Sequence, residues 1–293
     1  MDERETSAGE RRSSPGERDE TARPDGRSIR ETARVAAFYL VVVATIGLFV
    51  SMLGELLVFA FTGWTAQGAV ELGTHQFHDT VLATMMGIAL LGLVVQLYRP
   101  ADEFVGVLGF VMVVGLLGVV TAVVGSELVV IAAIFGSLGV VAAVLHPASG
   151  AVRRFSLPDR VEPVVLGLVA VAVIPLGLYA VDQFGLQATA TDDHALFGHY
   201  AGMVTVAGTI LALSVVAAVA PVGWRIAAAG AGLLALVWGV ASLAFPAQTS
   251  SGGLVWGVLA ILWAVAFVAG NEYAHDGETT ATDLSDPETP RPA

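Results

Sequence analysis

The sequence predicts an all-α polytopic membrane protein. Its eight transmembrane helices are expected as two tandem four-helix bundle repeats. Composition is the first reason: 55% of the 293 residues are hydrophobic and only 14% are charged. An ordinary soluble domain is about a quarter charged. Charge distribution is the second. Residues 1–34 hold eight Arg and nine acids, and residues 271–293 hold six acids and one Arg. The 236 residues between them keep only five Arg and eleven acids. A soluble fold has no place for so much apolar surface, whereas a lipid bilayer accepts it. The third reason is an internal duplication in that apolar region.

The head, 1–34, is low in complexity and mixed in charge, so it is expected to be a disordered cytoplasmic segment. Eight apolar stretches follow, near 35–58, 80–98, 104–124, 128–145, 163–181, 200–220, 226–246 and 253–270. Crossing roughly 30 Å of hydrocarbon takes about 20 helical residues. The stretches lack strand-like alternation, and a helix satisfies all its backbone polar groups internally. The first begins after 34 polar residues, which does not fit a cleaved signal peptide. Residues 146–162 read as a cytoplasmic linker between the repeats 35–145 and 163–270, and 271–293 as a disordered acidic tail.

Arginine sets the expected orientation. With eight helices, the head, Arg99, Arg153, Arg154, Arg160, Arg225 and Arg291 all fall on one side, and the opposite connections carry no Arg. The positive-inside rule then places both termini in the cytoplasm of a cell-membrane protein. Net charge is −12, and all fourteen basic residues are Arg. An acidic chain without Lys is a poor partner for nucleic acid, and its composition resembles that of proteins from high salt. The absence of Lys also excludes Schiff-base chemistry and a phosphate-loop lysine. The absence of Cys excludes disulfides, thiolate nucleophiles and iron–sulfur clusters.

The duplication runs at an offset of 121. It pairs His78 with His199, Gly87 with Gly208, Gly118 with Gly239 and Gly136 with Gly257. Fourteen of the 67 pairs from 78/199 to 144/265 are identical. Each unit has an even number of helices, so both share one orientation and the pseudo-twofold axis follows the membrane normal. Pro175 in the fifth helix stands where the first has Gly47, a matched pair of weak points.

Chemistry gathers on the Arg-free side. Four of the six His lie there: His75, His78, His194 and His199. Glu55 and Asp182 close the first and fifth helices nearby, and Glu71, Asp79, Glu127, Asp192 and Asp193 share that side. Polar groups at membrane depth are costly and face an interior. Related by the duplication, His78 and His199 are the leading candidates for haem or transition-metal ligands. Interfacial capping and proton or substrate contact are the alternatives. His75 and His78 are three apart, about 60° on a helix, while His194 and His199 are five apart, about 140°. The second pair shares a face only if the helix breaks, so His75 and His194 are expected in a structural, supporting role rather than as a paired-His metal site. Glu55 and Asp182 would support the site by orienting a ring or relaying protons. Asp79, Asp192 and Asp193 suit helix N-termini as caps. Met52, Met85, Met86, Met112 and Met203 read as core filling.

This architecture resembles the heme A synthase family. The segments His78-Asp-Thr-Val-Leu-Ala-Thr-Met-Met-Gly87 and His199-Tyr-Ala-Gly-Met-Val-Thr-Val-Ala-Gly208 are similar to that family's haem-ligand motif on its even-numbered helices. The family pairs each such His with another on helices 4 and 8. Here the eighth helix has none, His146 sits at the opposite end of the fourth, and the loop Cys pair of many members is missing. What the resemblance implies is therefore one haem or metal between His78 and His199, without the family's haem hydroxylation. Three functions stay open: a haem- or metal-binding protein of respiratory electron transfer or oxidase assembly, a proton-coupled transporter of small solutes or ions, and a non-catalytic scaffold for another membrane protein.

Overall fold

The computed structural model describes residues 29–65, 75–99, 104–148, 163–220 and 222–284, with side chains as far as His275. Eight long helices carry the fold: α1 (Ile29–Thr62), α2 (Gln76–Val95), α3 (Phe104–Val123), α4 (Leu128–Leu145), α5 (Pro163–Thr189), α6 (His199–Val219), α7 (Trp224–Ala244) and α8 (Gly253–Leu284). All eight are long and apolar enough to cross a membrane. No strand occurs among the described residues.

Several boundaries move outward from the expected ones. α1 begins at Ile29 and α8 runs to Leu284, so residues 29–34 and 271–284 are helical, where disorder was expected. The rest of the head and tail, the linker residues 149–162, and Glu71 lie outside the described residues. α2 begins at Gln76, which puts His78 and Asp79 inside the helix. α5 continues through Pro175 to Thr189 and so carries Asp182 and Gln183 within it.

Helices α1–α4 pack as one ring of four and α5–α8 as another. α2, α3, α6 and α7 form the inner layer, where α2 packs on α7 and α3 on α6. Those two contacts exchange under the pseudo-twofold axis. Burial follows the layering: the inner helices bury 44–61% of their apolar windows and the outer ones 17–22%. Leu40, Val171, Ile174 and Val255 project outward, as lipid-facing residues should.

Water gives no hydrophobic drive inside a bilayer, so close backbone approach holds such helices together. A Cβ on Gly92 would stand 2.6 Å from the Gly106 carbonyl oxygen, so glycine permits the α2–α3 crossing. Gly239 and Gly257 do the same for α7 and α8, with a Cβ on either at 2.7 or 2.9 Å from the other's oxygen. Large side chains fill the remaining space. Phe49 meets Phe135 edge-on at 5.2 Å in the first bundle, and Trp263 stacks on Phe267 at 4.8 Å in the second.

Candidate metal centre

The four histidines of the Arg-free side converge at the inner layer, on the face away from both termini. Ring centroids separate His75 from His194 by 4.5 Å and from His199 by 4.8 Å. His78 lies 4.7 Å from His194 and 5.1 Å from His199, stacked on the latter at 18°. One ligand nitrogen each from His75, His194 and His199 lies within 4.8 Å of the other two. This is the one such group of His and acids among the described residues.

A break in the chain brings His194 and His199 together. Residues Asp193–Leu196 make a single helical turn, and Gly198 then takes φ +71° before α6 starts at His199. That left-handed conformation suits glycine. A Cβ there would also press on Leu128, at 2.9 Å. Asp192 caps the short turn, accepting from the Ala195 N–H at 3.0 Å and from the Tyr200 hydroxyl at 2.7 Å. Burial would raise the Asp192 pKa, but these two hydrogen bonds and nearby His194 hold it below the usual carboxylate value.

A hydrogen-bond chain fixes the tautomer of His78. The Gln183 amide nitrogen donates to Asp182 Oδ2 at 3.1 Å, which leaves Gln183 Oε1 as acceptor. The Ser250 hydroxyl donates to that oxygen at 2.5 Å. Ser250 Oγ must then accept from His78 Nε2–H, 3.0 Å away. Nδ1 of His78 consequently carries the bare lone pair, and it reaches no hydrogen-bond partner. His75 Nδ1 and His199 Nδ1 are likewise buried without one. His75 and His78 are only 1% and 0% exposed. A buried polar atom left unmatched costs about 1–3 kcal/mol, and three lie side by side here.

Ser250 belongs to the α7–α8 loop and is the one non-glycine with positive φ, 68°, among the described residues. Its carbonyl accepts from the Tyr179 hydroxyl at 2.8 Å. Gln248 in the same loop accepts from the Phe77 N–H at 2.9 Å, satisfying an otherwise open donor at the start of α2. The second bundle thus holds the first bundle's histidine helix from above.

Each bundle has a partly open cavity. The first, about 360 Å³, runs from His75, Asp79 and His199 down past Met85 and Met86 to Phe49. The second, about 420 Å³, is lined by Tyr179, Asp182, Trp238, Trp256 and Trp263, with Pro175 in its wall. Asp79 is 8% exposed and lines the first cavity.

The remaining expectations fall as follows. Asp182 lines the second cavity and reaches His78 only through Gln183 and Ser250. Glu55 is exposed on α1 and lines neither cavity. His146 sits at the other end of the first bundle, donating from Nε2 to Gln96 at 3.0 Å while Nδ1 accepts the Ala148 N–H at 3.0 Å. Burial, then the Arg34 charge, push its pKa down to about 4. Ser250 and Gln183 were not singled out from sequence; a Ser in a loop after α7 carries no local signal of contact with α2. No protein-family model, curated protein or solved structure matches this chain. Its class rests on the fold: a multi-pass, all-α, membrane-type protein.

Proposed function

We propose that this protein binds a transition-metal ion through His75, His194 and His199, with His78 packed beside them as outer support. The observation that carries the reading is the close grouping of three ligand nitrogens, within 4.8 Å of one another, with His75 buried and His194 and His199 half-buried. Zinc–imidazole bonds of about 2.0–2.1 Å put tetrahedral ligands roughly 3.4 Å apart, so small ring rotations close the site. Neutral imidazoles without thiolate suit Zn(II), Cu(II), Ni(II) or Fe(II). The His78–Ser250–Gln183–Asp182 chain matches the outer shell that metal-bound His require, in which the second ring nitrogen donates toward a carboxylate.

A bare ion fits this arrangement better than haem. Axial imidazoles meet haem iron through their nitrogens, from opposite faces of a macrocycle. His78 and His199 lie face to face at 5.1 Å, with no slot between them.

Metal analysis of the full chain in lipid nanodiscs, after loading with Zn(II) or Co(II) and exhaustive dialysis, tests the reading. One ion per chain is expected, with Co(II) giving visible ligand-field bands of a nitrogen-rich site. The combined His75→Ala, His194→Ala, His199→Ala variant should hold none. A folded wild type that retains no metal, or a triple variant that retains it, refutes the proposal. A Soret band after haemin supplementation would reinstate haem.

A further inference from the structure

We infer that the first bundle's cavity is the acyl-chain pocket of a hydrolytic site, with the histidine centre, whose His75 and His199 line its mouth, cleaving a long-chain ester or amide. This rests on the metal reading above and adds a substrate class to it.

Three observations join at one place. The cavity that begins at His75 and His199 is otherwise apolar, apart from Asp79. From His75 to Met86, α2 lines it for about 16 Å at 1.5 Å per residue. Such a shape accepts an extended alkyl chain with its polar end at the histidines. The centre offers three neutral nitrogen ligands, which leaves an open position and the ion's full charge to acidify a water. Asp79 stands one helical turn beyond His75, on the same face, and is the one acid among the lining residues. It lines the cavity beside His75 without belonging to the group of mutually close ligand atoms, and this position assigns it the role of base rather than ligand.

The chemistry balances with water alone. A water would give its proton to Asp79, and its oxygen would bond to the acyl carbon. An ion held by His75, His194 and His199 would supply positive charge for the negative charge developing on the carbonyl oxygen. The carbon–oxygen or carbon–nitrogen bond then breaks, and Asp79 returns the proton to the departing alcohol or amine. The products are a fatty acid and that alcohol or amine. The second cavity, although similar in size, has a carboxylate but no histidine, and is not expected to react.

The test uses the Zn(II)-loaded full chain in nanodiscs with p-nitrophenyl laurate, p-nitrophenyl butyrate and a lauroyl anilide. Release of nitrophenol or aniline should be metal-dependent. Asp79→Asn should lower kcat by about 10²–10⁴-fold while keeping one ion per chain. Met86→Ala, which widens the apolar cavity, should change the laurate-to-butyrate preference. Ala260→Phe in the second cavity should leave the rates unchanged. If the ion binds and none of the three substrates turns over, hydrolysis falls and the metal reading stands. If no ion binds, both fall. Loss of the ion in Asp79→Asn would make Asp79 a ligand and overturn its role as base. An unchanged chain-length preference in Met86→Ala would overturn the cavity as acyl pocket.

Discussion

The two bundles share one plan but differ in what fills them. At equivalent positions the first cavity has Leu117 and Phe135 where the second has Trp238 and Trp256. The first is topped by histidine and the second by a carboxylate and a tyrosine. Only His78 and His199 are related by the duplication; the position matching His75 is Leu196, and the one matching His194 is Gly73. The grouped trio takes one duplicated residue and two that are not. The cluster therefore breaks the symmetry of the repeat, joining one duplicated residue with two that have no histidine counterpart.

That contrast can be pressed hardest by pH. His146 has no counterpart in the second bundle, where Phe267 stands at the matching position. Its folded pKa, about 4, is below the usual imidazole value of 6.5. Between those values the unfolded chain binds the extra proton, so stability falls as pH drops from about 6.5 to 4 and is fully present above that window. The loss expected is about 3 kcal/mol at roughly 1.4 kcal/mol per unit. His146→Phe should flatten it, read by thermal unfolding at pH 7 and pH 4.5. An identical slope in the variant would move the acid sensitivity elsewhere.

Glycine substitution probes the helix crossings. Gly136 and Gly257 are equivalent, yet a Cβ on Gly136 meets nothing nearer than 3.8 Å, while one on Gly257 stands 2.9 Å from the Gly239 backbone oxygen. Gly257→Ala should therefore destabilise by about 1–3 kcal/mol. Gly136→Ala should be neutral or stabilise by up to about 1 kcal/mol, as alanine favours helix. Equal melting shifts would show that the second bundle can relax as freely as the first.

The smallest effect concerns the broken turn before α6. Asp192→Ala removes the cap on Ala195 and the partner of the Tyr200 hydroxyl. A loss of about 1 kcal/mol is expected, along with a several-fold weaker Zn(II) affinity, because His194 loses its fixed approach. Unaltered affinity would mean that the turn is held by Gly198 and Leu128 alone.

Much of this fold was legible in composition. Eight apolar runs, arginine confined to alternate connections and a repeat at 121 residues are long-range regularities, and bilayer physics converts such runs directly into helices. The four histidines were legible as a group for the same reason: all lie on the side that carries no arginine. Their mutual geometry was not. The spacing of His194 and His199 argued against a shared site, and the helix break at Gly198 reversed that. The link from Asp182 to His78 depends on Gln183 and Ser250, which approach across 67 residues of chain. Glu55 shows the opposite failure, since a carboxylate near the right depth turned outward from the cluster.

The loop that holds Ser250 also has a consequence for biogenesis. During synthesis α1–α4 leave the ribosome and enter the membrane first, while His194, His199 and the loop above α2 are still to be made. The first bundle by itself offers only His75 and His78 and lacks the Ser250 contact. Were the cluster to bind an ion as proposed, acquisition would be tied to completion of the chain, and an interrupted translation product would stay empty. In a cell, the ion would report that both halves had been inserted and had met.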